Sequence, residues 1–411
     1  MISLEKLYDQ ECECCGCEAC FNVCPVHAIE MKENDYGEVF PEINSDKCIQ
    51  CGKCLKVCPL KKERGGEKPL SAYGAISKDP FMYRNATSGG IFAVLAEHII
   101  SQKGIVVGST LDNEDGISVK HICIDTKMQI ASLQGSKYVQ SRIGNVFTKV
   151  KEALNDNRLV LFSGTPCQVA GLKLYLGKEY SNLFTIDIVC HGVPSLSFLK
   201  NHISYLEKRN NYRVEKIEFR KKGAIHSGID LRISYQKRGK KDYKDIWPIY
   251  DSYYQLFLDS HTYRDSCYSC KFTNDLRQGD FTICDFWGAK TEIYPDEMKS
   301  KNIVPENGLS GILINTQKGE LLFKKIEGQI TSCKVKPQQI IKWNPQLNNP
   351  SKKKDIWFEV REQYLKGQSE FEKWYKKKYR SEIIKYKMKI IILTIVPVEI
   401  RSKIKMMLKR I

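Results

Sequence analysis

No apolar run in the 411-residue chain is long enough to span a bilayer. The longest, Ile390 to Val398, has nine residues and contains a proline. The opening stretch, MISLEKLYDQE, lacks the basic and apolar regions of a secretory signal, which predicts a cytoplasmic protein. A reducing compartment excludes a framework of structural disulfides, so the 17 cysteines point to metal or redox chemistry. No Ser-His-Asp or paired-carboxylate arrangement stands out. A hydrophobic content of 42% argues against disorder, and the length exceeds one ordinary core, so two or three domains are expected.

A net charge of +17 invites a nucleic-acid reading, but its location argues otherwise. From Ser351 to Ile411, 18 Lys and Arg face 7 Asp and Glu, a balance of +11. The first 350 residues carry only +6. The basicity belongs mainly to one end, and no nucleic-acid partner is expected.

Ten of the cysteines lie before residue 60. Cys14, Cys17, Cys20 and Cys24 fall as C-x2-C-x2-C-x3-C and are followed by Pro25; Cys48, Cys51, Cys54 and Cys58 repeat the pattern before Pro59. Three thiolates on one tight loop reach three corners of an iron–sulfur cubane, and the fourth corner needs a ligand from elsewhere. In two-cluster ferredoxins the fourth cysteine of each run serves the other cluster. One 4Fe–4S cluster then takes Cys14, Cys17, Cys20 and Cys58, and a second takes Cys48, Cys51, Cys54 and Cys24. Structural zinc also uses C-x2-C pairs, but it has no use for a third cysteine at that spacing. Cys12 and Cys15 fall outside the pattern and read as spare. Short strands or turns are expected at His27–Met31 and Glu38–Pro41. The charged segment Lys61–Pro69 reads as a linker.

From Leu70 the periodicity changes. Ser88-Gly89-Gly90 precedes an amphipathic helix expected over Ile91–Ile100, and Ile105–Ser109 reads as a strand. Free backbone N–H groups at such a helix start suit either a phosphate cradle or a plain entry turn. Leu159–Ser163 reads as a buried strand. Thr165 caps a helix with Pro166 at its first position and Cys167 in its first turn, and Gly177 ends it. Leu183–Val189 is the next strand, leading to Cys190-His191-Gly192 and a helix from near Ser195. The pattern is a right-handed parallel βαβ unit. It brings Cys167 and Cys190 to the sheet edge where α/β proteins bind ligands. The helix start is expected to lower the Cys167 pKa. With Cys267 and Cys270, four thiolates from three loops suffice for one more iron–sulfur cluster. Equally, the first two suit buried small residues and the late pair an incidental one. Cys284 is a substitute ligand; Cys123 and Cys333 read as structural.

The stretches TSGGIFAVLAEHII (87–100), GSKYVQS (135–141), VLFSGTPCQVAGLKLYL (160–176), DIVCHGVPS (187–195) and CYSCKFTNDLRQGDFTICDFWG (267–288) carry a resemblance. They are similar to the beta subunit family of coenzyme F420-reducing hydrogenase and dehydrogenase. With its N-terminal double ferredoxin, the chain resembles bacterial members associated with polysaccharide synthesis. The resemblance implies FAD beside a third 4Fe–4S cluster, with Cys167, Cys190, Cys267 and Cys270 as ligands. It implies Ser88, Gly89, Gly90, Ser136, Lys137 and Tyr138 near the flavin. Two positions depart from the family: Cys284, where Gly or Ala is usual, and Lys221-Lys222-Gly223 after Phe219-Arg220, where an acidic residue and Gly-Trp are usual.

The expected architecture is an α+β ferredoxin-like module over 1–62, a linker over 63–70, and an α/β domain with a mixed, partly parallel sheet over 71–345. The larger domain divides into 71–150 and 151–345, and a basic, amphipathic tail covers 346–411. The expected function is that of an iron–sulfur flavoprotein oxidoreductase. It takes electrons from a ferredoxin-like partner, or returns them, and couples them to an organic two-electron substrate of F420 type or another kind. The alternative is a relay subunit that serves a partner enzyme. Asp280, Asp285 and His191 are candidate proton donors, or turn-capping residues. The tail suits an anionic membrane surface, a partner or the protein's own core.

Overall fold

The computed structural model describes residues 7–62, 65–113, 116–222 and 230–395. In the N-terminal module, β1 (Ile29–Glu33) and β2 (Val39–Ile43) pair antiparallel. Asn34 closes the turn between them, its Oδ1 accepting from the amides of Tyr36 and Glu38 at 3.1 and 2.9 Å. Two short helices, Ala19–Val23 and Lys53–Lys56, each carry the third cysteine of a run. Each begins after a residue in the left-handed region, Glu18 at φ 59° and Gly52 at φ 66°. The same local geometry thus occurs twice, as the repeated spacing requires.

The remaining strands are β3 (Ser71–Ser77), β4 (Ile105–Asp112), β5 (Ser118–Ile124), β6 (Val160–Gly164), β7 (Leu183–Ile188), β8 (Arg213–Glu218), β9 (Leu231–Lys237), β10 (Lys240–Ile246), β11 (Phe281–Asp285), β12 (Ser310–Ile314) and β13 (Ile330–Val335). Eight of them form one sheet in the order β13-β3-β12-β11-β7-β6-β4-β5. Its centre, β11-β7-β6-β4, is parallel, and the outer pairings are antiparallel. β10-β9-β8 make a separate antiparallel sheet.

The βαβ unit is β6, the helix Pro166–Leu176 and β7. Thr165 and Gln168 form a capping box at the helix start, Pro166 takes the first turn, and Gly177 at φ 72° ends it. The helix expected to be amphipathic runs Ile91–Ser101 and buries Ile91, Ala93, Val94, Leu95, Ala96, Ile99 and Ile100. It is covered on nearly all sides, because Leu322, Phe323 and Ile326 of the helix Gln317–Ile326 join the same core as the sheet beneath it.

The described part of the stretch expected as a basic tail packs on the core. Helices Ile356–Leu365 and Gln368–Lys378 bury Trp357, Val360, Phe371 and Tyr375, and a third helix, Arg380–Ile395, follows. Val360, Phe371 and Tyr375 pack with Phe198, Ile203 and Tyr253, so the apolar faces of these two helices serve the protein's own interior. Residues 396–398 and 406–408 of the apolar runs lie outside the described residues. Among the described residues no helix is long and apolar enough to cross a membrane.

A buried polar knot joins the helix Gln368–Lys378 to the helix Leu196–Asn210 and to the start of the helix Ser252–Leu258. His202, on the helix Leu196–Asn210, holds Asp251 at 2.9 Å and Glu372 at 3.1 Å, and Ser252 donates to Glu372 at 2.5 Å. Burial alone lowers the His202 pKa, but the two carboxylates reverse this and raise it to about 10 from 6.5. Such a group stabilises fully below its unfolded pKa and loses that contribution as pH rises through its folded value. We expect stability to fall between about pH 7 and 10, where imidazolium is lost, and His202→Gln to remove that slope. The substitution leaves two buried carboxylates uncompensated and costs roughly 3–5 kcal/mol at neutral pH. Denaturant unfolding at several pH values checks both; an unchanged slope in the variant contradicts the assignment.

Candidate redox site

Two cavities in the N-terminal module are ringed by thiols. Cys24, Cys48, Cys51 and Cys54 line one; Cys14, Cys17, Cys20 and Cys58 line the other, with Cys15 beside them. Each ring thus combines three cysteines of one run with the fourth of the other. Among the described residues no three His, Cys, Asp or Glu side chains converge as a single metal ion needs. The thiols stand around a space instead, and an all-sulfur donor set of four suits an iron–sulfur cubane.

A third set forms where the sheet ends. Cys167 opens the helix after β6, Cys190 follows β7, and Cys267 and Cys270 lie in and just after the 3-10 turn Asp265–Ser269. Burial first, then Cys167 and Cys270, push the Cys190 thiol up to about 12. Burial, then Cys190 and Cys270, hold Cys267 well above the usual thiol range. The four therefore lie within electrostatic reach of one another. The helix start expected to favour a Cys167 thiolate is outweighed: a hydrogen bond with Cys15, then burial, raises its pKa. Buried thiols crowded in this way become thiolates when a cationic core joins them.

Cys15, read as spare, is the link between the two regions, since it meets both Cys17 and Cys167. Cys17 also packs on the Cys167 helix, where a Cβ added at Gly171 would lie 3.1 Å from its sulfur. Cys284, a substitute ligand by sequence, points elsewhere. Its Sγ lies 3.6 Å from the Gly311 carbonyl and packs with Phe286 and Ile340. Cys333 is buried in that same core, and Cys123 packs against Ile105 and Val107 on the far side.

The loops bearing the third set are fixed by an ion pair that the sequence does not announce. Arg277 donates to Asp187 at 2.9 Å, both side chains being almost wholly buried. Its Nη1 donates to the carbonyls of Phe272 and Asn274, which follow Cys270. Asp187 also accepts from the amides of Gln278 and Gly279 and the hydroxyl of Thr282. Asp280, a candidate proton donor, is likewise structural: it accepts from the Thr185 amide and hydroxyl and from Thr316.

The antiparallel run from β11 through β12 to β3 brings Ser88–Gly90 to the same sheet edge. Gly89 packs flush there, since a Cβ would lie 2.0 Å from the Ala75 carbonyl, and its amide donates to Ser310 at 2.8 Å. The buried Ser88 hydroxyl has no hydrogen-bond partner among the described residues. Lys222 donates to the carbonyls of Ser88 and Tyr83, and burial lowers its pKa to about 7. Arg220 forms a bidentate pair with Asp285 and stacks at 4.9 Å on Trp287, which is 54% exposed. Its Nε has no partner among the described residues. His191 is exposed beside this pair. Ser136 holds Thr87 through amide and hydroxyl. Lys137 is turned away: it donates to the carbonyls of Leu133 and Gln134 at 2.9 and 2.8 Å. Tyr138 stacks on Phe257 at 4.2 Å inside the second core.

Asp187→Asn preserves volume but strands the Arg277 charge. It is expected to destabilise by about 3–5 kcal/mol, while Asp187→Leu with Arg277→Met recovers most of the loss. Denaturant unfolding of both variants checks this; a cost below about 1 kcal/mol for Asp187→Asn contradicts it.

Residues 13–62 match the 4Fe-4S dicluster domain, and residues 157–342 match the family described as the C terminus of the coenzyme F420 hydrogenase/dehydrogenase beta subunit. Uncharacterized protein MJ1349 of Methanocaldococcus jannaschii is 23% identical over 356 residues, covering 78% of this chain and 88% of the relative. Ferredoxin YfhL of Escherichia coli is 41% identical over 54 residues, 12% of this chain and 57% of its own. A chain in the xenon-derivatized F420-reducing [NiFe] hydrogenase complex of Methanosarcina barkeri is 19% identical, with 74% of this chain and 95% of that one covered, at a TM-score of 0.43. The chain thus joins a 4Fe–4S dicluster domain to a segment that matches the C terminus of the coenzyme F420 hydrogenase/dehydrogenase beta subunit, and is an iron–sulfur electron-transfer protein related to that subunit.

Proposed function

We propose that the chain is an oxidoreductase connecting a one-electron protein carrier to an organic two-electron substrate. Two 4Fe–4S clusters belong to the N-terminal rings, a third to Cys167, Cys190, Cys267 and Cys270, and FAD to the adjoining sheet edge. The observation that carries this reading is the packing of Cys17 on the helix that Cys167 opens, where a Cβ added at Gly171 would lie 3.1 Å from the Cys17 sulfur, which sets the ferredoxin module against the third thiol set. When bound, clusters exchange single electrons and a flavin trades them in pairs, so the set connects the two kinds of chemistry.

The sheet edge has what an anionic dinucleotide needs. The helix Ile91–Ser101 starts there with no side-chain cap on its first amides, the kind of helix start that suits a phosphate. The unpartnered Ser88 hydroxyl and Arg220 Nε supply donors, Lys222 adds an amine that a bound phosphate would hold in its charged form, and Trp287 offers an exposed ring. Lys137 and Tyr138 belong to the frame around this site. Of the candidate proton donors, Asp285 is occupied by Arg220, which leaves His191 as the exposed one.

Electrons enter at the outer ring. Cys51 is exposed, Ile49 beside it is 61% exposed, and Lys47, Lys53, Lys56, Lys61 and Lys62 stand exposed around them with Asp46 the one acid between residues 44 and 62. That surface suits an acidic one-electron carrier.

Anaerobic purification followed by flavin extraction tests the reading. The expected result is FAD released in stoichiometric amount, with Lys222→Ala weakening flavin binding at least about tenfold through loss of a charge-assisted contact. Protein rich in iron and sulfide that neither carries nor takes up flavin contradicts it. Reduction of an organic acceptor by the isolated holo-protein is also expected; turnover only with an added subunit favours a relay instead.

A further inference from the structure

Arg264 lies three residues before Cys267 and is 1% exposed, among the most deeply buried large side chains of the described chain. It stands between the first thiol ring and the third set. Its Nε donates to the Cys14 carbonyl at 2.7 Å, and its Nη1 to the Val39 carbonyl at 3.0 Å and Gln140 Oε1 at 3.4 Å. The guanidinium covers the Phe40 ring at 3.9 Å. Its own backbone reaches the other side: the Cys267 amide donates to the Arg264 carbonyl at 2.9 Å, and the Arg264 amide to Val193, three residues after Cys190. Gly16 at φ 64° leaves no room between, since a Cβ there would lie 3.2 Å from Nη1 and 2.3 Å from Gln140 Nε2.

Two features of this placement need a ligand to explain them. A cation taken out of water costs several kcal/mol unless it is paired. Here the near carboxylate, Glu38, gives one oxygen to Arg361, and neither of its oxygens bonds Arg264. In addition, Arg264 Nη2 is a buried N–H donor with no acceptor among the described residues. An anionic cluster in the Cys14 ring answers both, since cluster and thiolate sulfurs accept N–H bonds.

Resting on the cluster assignment above, we propose that Arg264 is a positioning residue that raises the reduction potential of the cluster held by Cys14, Cys17, Cys20 and Cys58. Its charge and its free N–H favour the state with one more electron. The inner ring, against Cys15 and Cys167, is then easier to reduce than the exposed outer ring. The step is a one-electron exchange: the external carrier protein loses one electron and the inner centre gains it, with no bond made and no proton moved.

The test is an EPR-monitored redox titration of anaerobically prepared holo-protein. Arg264→Gln is expected to make one cluster harder to reduce by about tenfold or more in equilibrium constant, about 59 mV for a one-electron couple. Arg264→Lys, which keeps the charge, is expected to recover most of that shift. Glu38→Gln removes the opposing charge and is expected to move the same cluster the other way, which keeps the proposal testable where Arg264 variants fail to fold. Unchanged potentials in these variants, or shifts of the same sign in Arg264→Gln and Glu38→Gln, overturn it. Protein without iron and sulfide instead defeats the cluster assignment itself.

Discussion

The pairing of Asp187 with Arg277 is the contact on which the inner redox site depends. Two opposite charges sit out of water at the end of a central parallel strand, and every strong acceptor of the carboxylate is used. Such a pair contributes little net stability over apolar residues, but it fixes geometry, because any displacement strands a buried charge. Here it ties the end of β7, which leads to Cys190, to the loop that follows Cys270. Thiols more than 70 residues apart are thereby brought within electrostatic reach of one another.

The same device joins the two modules. The ferredoxin module is seated on the larger domain by Arg264 on the Cys14 loop, by Glu18 with Arg142 and the Gly144 amide, and by Glu38 with Arg361. Directional contacts of this kind set a precise separation, whereas a flexible linker sets only an average one. Electron exchange between centres needs the former. Residues 65–70 follow the same rule: Glu67 exchanges backbone hydrogen bonds with Arg277, and Leu70 donates to Ile314. The segment expected as a linker runs along the protein.

Much of the site was legible because it is local. The double C-x2-C-x2-C-x3-C run, the Thr165–Pro166 helix start and the Gly177 stop each follow from neighbours in sequence, and the parallel unit follows from them. Arg277, Arg264, Arg220 and Lys222 carry no spacing signal, since each acts on residues far along the chain. Cys15 looked spare for the same reason: its partner is 152 residues away, on the helix after β6. The C-terminal stretch misled through composition. Its lysines lie on the outer faces of helices that bury Trp357, Phe371 and Tyr375, so charge count alone hid a packed element.

The central claim is that three separate sets of four thiols each hold a cubane in one chain. Iron and acid-labile sulfide quantitation of anaerobically reconstituted protein tests it most directly. The account predicts about 12 iron and 12 sulfide per chain, falling to about 8 of each when Cys190 and Cys267 are both replaced by alanine. A value near 8 that those replacements leave unchanged, or zinc in place of iron, would contradict it.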